Sequence, residues 1–532
     1  MLVSIFNDVI GPVMRGPSSS HCAAALRIGR LARDLMGGPI DEVLVEFDRQ
    51  GSLPTTHESQ GSDMGLFGGL LGWEAADERL PHAFQTFLVG GGRARFETVD
   101  AQDPHPNTYR LTLRRGQDQH FLRAISTGGG MIEVLNIDGF PVSLFGDAFT
   151  TLLWSSRDAA TLANDLRTRM VIDAIDVLET EGQQLVVVQA DQFVPDFLLP
   201  SQPEPSPIVA VRKLAPVLPV LSRLTTRVPF TTAFELLRFD AGQETPLWKH
   251  AVAYEMARGS LTEEAVMDRM LDIVRILRRS IAQGIAGTHY DDRVLGHQSG
   301  RFQSLMDAGR LLPGGALNRV VLYVTALMEV KSSMGVIVAA PTAGACAALP
   351  GAVIALAEEQ GLGEIEMARA MLAAGLIGVF IATRWTFAAE VGGCQAEGGS
   401  AASMAAAALV DMAGGTLTQS LAAGSLAFQS MLGLICDPIA NRVEAPCLGK
   451  NVMAASNALC CANMALAHFD PLIPLDEVIL AAMKVSESMP REHRCTALGG
   501  LSITPASQAI EQQLRTRKSP APAPACGTCD CH

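Results

Sequence analysis

Three cysteines stand where a thiol is hard to explain as packing alone. Cys394 lies in EVGGCQAEGGSAASM, on a Gly-Gly turn that feeds a helix beginning near Ser400. Cys436 opens and Cys447 closes the stiff stretch CDPIANRVEAPC. Each falls at a helix end or in a constrained loop, where a side chain is aimed and unwound backbone can donate N–H groups. Thiolate sulfur is the ligand that iron–sulfur clusters take. Three protein thiolates instead of four would leave one iron open to a substrate, the logic of a catalytic metal site. The spacing matches neither compact ferredoxin runs nor zinc-finger signatures. Structural thiols therefore remain the competing reading at this point.

A second constellation is GPSSSHC, where Ser18, Ser19, Ser20 and His21 lie between a Gly-Pro turn and a helix start. Hydroxyls and exposed amides at a helix N-terminus can cradle a carboxylate, and a histidine can carry a proton. A plain helix cap with extra serines is the bland alternative. Glycine-rich turns with polar tips form a third set: GSLPTTHESQGSD, STGGG, and AAPTAGACAALPG with Thr342 at its tip. The last could bind an anion or simply cap a helix.

These groups need a scaffold. At 532 residues the chain should hold two or three domains. Its 48% hydrophobic and 5% aromatic content suits close-packed alanine-rich helices better than sandwiches or barrels. A net charge of −14 gives no footprint for nucleic acid or an anionic membrane. The start, MLVSIFNDVIGPVM, does not read as a secretory signal, and the apolar run Ala370 to Ala382 is short for a membrane span. A cytoplasmic protein with no membrane association is expected. Eleven cysteines there favour metal or catalytic use over disulfides, with Cys346, Cys460 and Cys461 expected as small core residues.

Residues 1–143 mix helix and strand: a helix from His21, strand-like EVLVEF, and a hairpin near TYRLTLRRGQDQHFLRAIS. Residues 144–212 follow a β-α-β-β order, predicting a small ferredoxin-like module that lacks its second helix. Residues 213–247 read as a linker and 248–514 as all helix; 515–532 are a Pro/Ala tail carrying Cys526, Cys529 and Cys531. The expected fold class is multidomain α+β: an N-terminal α+β domain, the ferredoxin-like module and a large all-α domain.

Long stretches of this chain resemble the iron–sulfur-dependent L-serine dehydratases. GPSSSH, the GSL and GSD turns, HPN (ending in Asn107) and TGGGMIEVLNIDGFP resemble that family's β domain. MGVIVAAPTAGACAALPG, GGCQAEGGSAASM, GLICDPIANRVEAPC and KNVMAASNA resemble its α domain. The module at 144–212 sits where some members carry an ACT-like domain. The resemblance implies a 4Fe–4S cluster bound by Cys394, Cys436 and Cys447, with the fourth iron taking the substrate's β-hydroxyl, and no pyridoxal phosphate. It implies elimination from a small amino acid to a 2-oxo acid and ammonia, in a homodimer. His21 is the first candidate for proton transfer and His57 the second. Ser18, Ser19, Ser20, Asn107, Thr342 and Arg494 are candidates for holding substrate, and a tail cysteine for a displaceable fourth ligand.

Departures from the family pattern are part of the reading. Gln60 stands where a histidine is usual, Cys495 where a carboxylate is usual, and Arg293 to Phe302 introduces His297 and Arg301. Altered substrate preference is one consequence, with L-cysteine desulfuration as an alternative on the same scaffold. A non-catalytic cluster-based redox or iron sensor is the alternative of another class.

Overall fold

In the computed structural model, residues 2–155, 159–199, 208–223 and 226–518 are described. The chain begins inside the helical body. Ile5, Phe6, Val9 and Ile10 are at most 4% exposed and belong to the same core as the C-terminal helices. Strand β1 (Val13–Arg15) then pairs antiparallel with Val336–Val338. A short strand therefore interrupts the region that reads as continuous helix, because the run VIV is β-branched and follows a glycine.

Helix Ala24–Leu35 forms as its sequence predicts and ends at the Gly37–Gly38 pair. Helix Ser62–Leu70 packs across it closely. A Cβ at Gly65 would meet the Cys22 carbonyl at 2.0 Å, so only glycine permits this approach. The contact fixes the turn carrying His21 against the turn carrying Gln60. Both helices cover a six-stranded sheet built from β2 (Glu42–Asp48), β3 (Arg93–Val99), β4 (Thr108–Arg115), β5 (Asp118–Gly128), β6 (Met131–Ile137) and β7 (Phe140–Leu144). The order is β3-β2-β4-β5-β6-β7; β2 and β3 are parallel and the other pairs antiparallel. The expected hairpin is β4–β5.

A second sheet comprises β8 (Phe149–Ser155), β9 (Ala174–Thr180), β10 (Gln183–Ala190) and β11 (Ile208–Leu214), in the order β11-β8-β10-β9, with helix Ala159–Arg169 between its first two strands. This is the ferredoxin-like arrangement. Only a short turn, Asp196–Leu198, is found among the described residues where its second helix would stand. Strand β11 supplies an edge that sequence alternation did not mark. Beyond it, Asn7 holds the following segment by exchanging two hydrogen bonds with the Val220 backbone.

The C-terminal half is a helical body centred on Ser400–Met412, which contacts helices Ala348–Glu359, Glu364–Arg384, Leu417–Gln429 and Cys447–Leu466. Its alanines let backbones approach closely, and Ala401 through Ala408 are buried. The apolar run at 370–382 is part of the longer helix Glu364–Arg384. That helix is long and apolar enough to cross a membrane, but 78% of its most apolar window is buried inside the protein. Cys346 and Cys461 are core residues as expected, whereas Cys460 is exposed. Its neighbours in the helix turn inward, and the helical period carries it to the outer face.

Candidate active site

The two halves meet at a buried polar chamber. His21 is fully buried on a wide helical turn, Ser19–Ala23, held by the helix contact at Gly65. Its Nε2 lies 2.8 Å from Thr56 Oγ1, and that hydroxyl gives its one proton to the Ser52 carbonyl at 2.8 Å. Thr56 must therefore accept from His21, which puts the imidazole proton on Nε2. The Nδ1 lone pair then faces Ser18 Oγ at 3.1 Å and Glu390 Oε1 at 3.5 Å. Burial, with the nearby His57 charge, lowers the His21 pKa to about 3, so the ring is neutral.

Glu390 was not marked by sequence reasoning. Burial raises its pKa to about 7. The Asn107 amide faces it, yet neither Asn107 Nδ2 nor Glu390 Oε2 completes a hydrogen bond among the described residues. A buried polar atom left without a partner costs about 1–3 kcal/mol, a cost a bound ligand can relieve. The signal available in the sequence was a carboxylate in an otherwise apolar run, AAEVGG.

The thiols gather nearby. Cys394, Cys436 and Cys495 form one small buried cluster, with the Cys436 thiol close enough to both others to feel them electrostatically. These contacts, with burial, raise its pKa well above the usual thiol range. Cys447 is buried on the helical-core side, close enough for its charge and that of Cys394 to interact. Cys394 follows Gly393, whose φ is +68°. A Cβ there would meet Met489 Sδ at 2.7 Å, so glycine aims the thiol. Cys447 begins helix Cys447–Leu466. One turn on, Lys450 Nζ reaches Asp437 Oδ1 at 2.6 Å, the Ile435 carbonyl at 2.7 Å and Cys394 Sγ at 3.6 Å. Burial alone would lower the Lys450 pKa, but the thiolate of Cys394 and the Asp437 carboxylate outweigh it and raise it.

Asn451 ties these parts to the AAPTAGAC loop. Its amide donates to the Gly344 and Cys447 carbonyls and accepts from the Ala347 and Ala348 N–H groups. In that loop the Thr342 hydroxyl gives its proton to Glu397 Oε1 at 2.6 Å, and Ser19 Oγ accepts from the Ala343 N–H. Both hydroxyls are thus engaged within the protein. Ser20 is buried beside them. Arg494 stands apart, capping the end of helix Leu475–Ser488 through the Ser486 and Met489 carbonyls. His57 pairs with Asp63 at 2.7 Å and stacks on Phe96. The segment 293–302 reaches the chamber wall through the Val294 and Leu295 N–H groups on Glu444, while His297 and Arg301 are exposed.

The two departures, Gln60 and Cys495, touch. Gln60 Nε2 is 3.5 Å from Cys495 Sγ and 3.1 Å from Asn441 Oδ1, and all three residues are buried. Reading each alone had treated Cys495 as a substrate-side change. The fold instead sets it against Cys436. The tail cysteines Cys526, Cys529 and Cys531 lie outside the described residues.

This donor set suits an iron–sulfur group. Cys394, Cys436 and Cys447 are buried, soft and free of disulfides.

Comparison with known proteins agrees with this architecture. The family described as serine dehydratase alpha chain matches residues 242–502. The probable L-serine dehydratase alpha chain of Bacillus subtilis (strain 168) is 36% identical over 285 residues, covering 54% of this chain and 95% of that protein. The probable beta chain of the same organism is 35% identical over 218 residues, covering 40% of this chain and 98% of its own length. The L-serine dehydratase of Streptomyces coelicolor is 32% identical over 296 residues, 53% of this chain and 63% of that one. The fold and site thus define a carbon–nitrogen lyase scaffold with alpha-type and beta-type regions in one polypeptide. The chain belongs to the L-serine dehydratase family.

Proposed function

We propose that this protein is an ammonia-lyase of L-serine or a closely related β-hydroxy amino acid, with a 4Fe–4S cluster held by Cys394, Cys436 and Cys447. The observation that carries the reading is the convergence of these buried thiols beside a buried His21–Glu390 pair. When bound, the cluster supplies a Lewis-acidic iron that makes hydroxide a tolerable leaving group. The protein's own residues do the rest. Glu390, with a pKa near the working pH, takes the Cα proton. The electrons of that bond form the Cα–Cβ double bond as the Cβ–O bond breaks, and hydroxide leaves as water after gaining a proton. The enamine tautomerises and hydrolyses to a 2-oxo acid and ammonia. His21, fixed in its tautomer by Thr56, turns its Nδ1 lone pair toward Glu390 and accepts a hydrogen bond from that carboxyl once it has taken up the proton. Lys450 balances the negative charge of the thiolates.

The test is release of ammonia and a 2-oxo acid by anaerobically reconstituted protein of measured iron content, over a panel of L-serine, L-threonine and L-cysteine (pyruvate from L-serine or L-cysteine, 2-oxobutanoate from L-threonine). Pyruvate from L-serine, dependent on iron, is expected. A fully loaded protein that eliminates from no member of the panel would overturn the assignment.

A further inference from the structure

Lys331 ends a buried row in helix Ala316–Ser332 and is 0% exposed. Its ammonium has no hydrogen-bond partner among the described residues, and neither has the adjacent buried Ser332 hydroxyl. A buried cation in this state calls for an anion. Two carboxylates lie within electrostatic reach, but each is held elsewhere. Glu397 takes the Thr342 proton, and Glu444 takes the N–H groups of Val294 and Leu295. No ion pair joins either to Lys331 among the described residues. Lys331 is also close enough to Cys447 for their charges to interact.

The same side chain lines a cavity of about 320 Å³. The other cation there, Arg442, is already bound to Asp292 at 2.6 Å and to the Ser59 carbonyl. Glu58, Asp63 and Asp292 stand nearer the surface than Lys331. At depth the cavity is lined by Lys331 and by Glu444, whose carboxylate is taken up by the Val294 and Leu295 N–H groups. Toward solvent it is lined by Glu58, Asp63 and Asp292, of which Asp63 pairs with His57 and Asp292 with Arg442. Its complement is a zwitterion that enters carboxylate first, with its ammonium left toward the acidic rim.

We propose that Lys331, assisted by the Ser332 hydroxyl, anchors the carboxylate of an α-amino acid substrate. The proposal rests on the amino-acid lyase reading and assigns the carboxylate to a side chain other than the serines of GPSSSH. Lys331 is a binding residue for the known scaffold's chemistry, and its charge, not its shape, is what the site uses.

The test is equilibrium binding of L-alanine and L-alaninamide, which lack a β leaving group, to the anaerobic iron-loaded full chain, by calorimetry. The wild type should prefer the carboxylate over the amide at least tenfold. Lys331→Met should bring that ratio close to one, leave amide binding within about twofold, and keep iron content and circular dichroism unchanged. Lys331→Arg should restore part of the preference. If Lys331→Met is insoluble, Ser332→Ala reads the same ratio and should lower it several-fold. Equal binding of both probes by the wild type, or full discrimination in folded Lys331→Met, overturns the proposal and leaves Lys331 a counter-charge for Glu397 and Glu444. Discrimination that depends on Lys331 in a protein that releases no pyruvate would keep the anchor and remove the lyase assignment.

Discussion

Cys436 touches two thiols, Cys394 and Cys495, and only one of these is expected to be a ligand. Serine at Cys394, Cys436 or Cys447 should therefore strip the cluster, measured as iron per chain and visible charge-transfer absorption. Cys495→Ser should keep the iron, because the three ligand thiols remain. At the neighbouring acid, Glu390→Gln should lower kcat by roughly 10²–10⁴-fold with the iron content intact. The wild-type rate should rise as pH passes upward through about 7, where Glu390 ionises, and the variant should lose that limb. The sign for stability is opposite. The folded pKa lies above the ordinary glutamate value of 4.5, so the group's stabilising contribution is full below that value and is lost as pH rises toward about 7. Glu390→Gln should flatten the pH dependence of thermal unfolding across this window.

Loop and helix ends decide where those side chains point. Asn451, on the helix that starts at Cys447, makes four buried hydrogen bonds, three of them to the segment running from Gly344 to Ala348. Asn451→Ala leaves carbonyls and N–H groups without partners, at about 1–3 kcal/mol each. The expected outcome is a lower Tm and faster loss of the cluster in air, followed by circular dichroism and absorbance. Gly393→Ala combines a positive φ with a 2.7 Å contact at Met489, so it should lose iron even where the protein stays soluble. The motif strings AAPTAGAC and KNVMAASNA are both legible in the chain. That they are one unit is not, because Asn451 and Gly344 meet through the packing of separate helices.

The whole molecule is held together across the domain boundary that composition had drawn. Ile5, Phe6, Val9 and Ile10 fill the helical core, and β1 pairs with Val336–Val338. Each such buried side chain contributes about 1.5–3 kcal/mol, against a total stability of about 5–15 kcal/mol for a typical domain. A fragment of residues 242–518 should therefore be insoluble or poorly folded alone. Co-expression with residues 1–241 should recover a soluble complex, as read by size-exclusion chromatography and circular dichroism. A stable, well-folded isolated fragment would show that this segment is dispensable to the core.

The sequence by itself determined what is local and periodic. Alternation marked β2, helical spacing marked Ala24–Leu35, and the long motif strings carried the family and the thiols Cys394, Cys436 and Cys447. Local periods report which face of an element is apolar, and motifs report which residue types recur together. Tertiary structure decided the rest. It set Gln60 against Cys495 from opposite ends of the chain, and turned Arg494 away to cap a helix. It also left Glu390 and Lys331 buried with atoms that find no partner among the described residues. The physical reason is that a hydrogen bond needs two groups within about 3 Å. Whether a buried charge finds such a partner depends on how distant elements pack, a property that no single stretch of sequence contains.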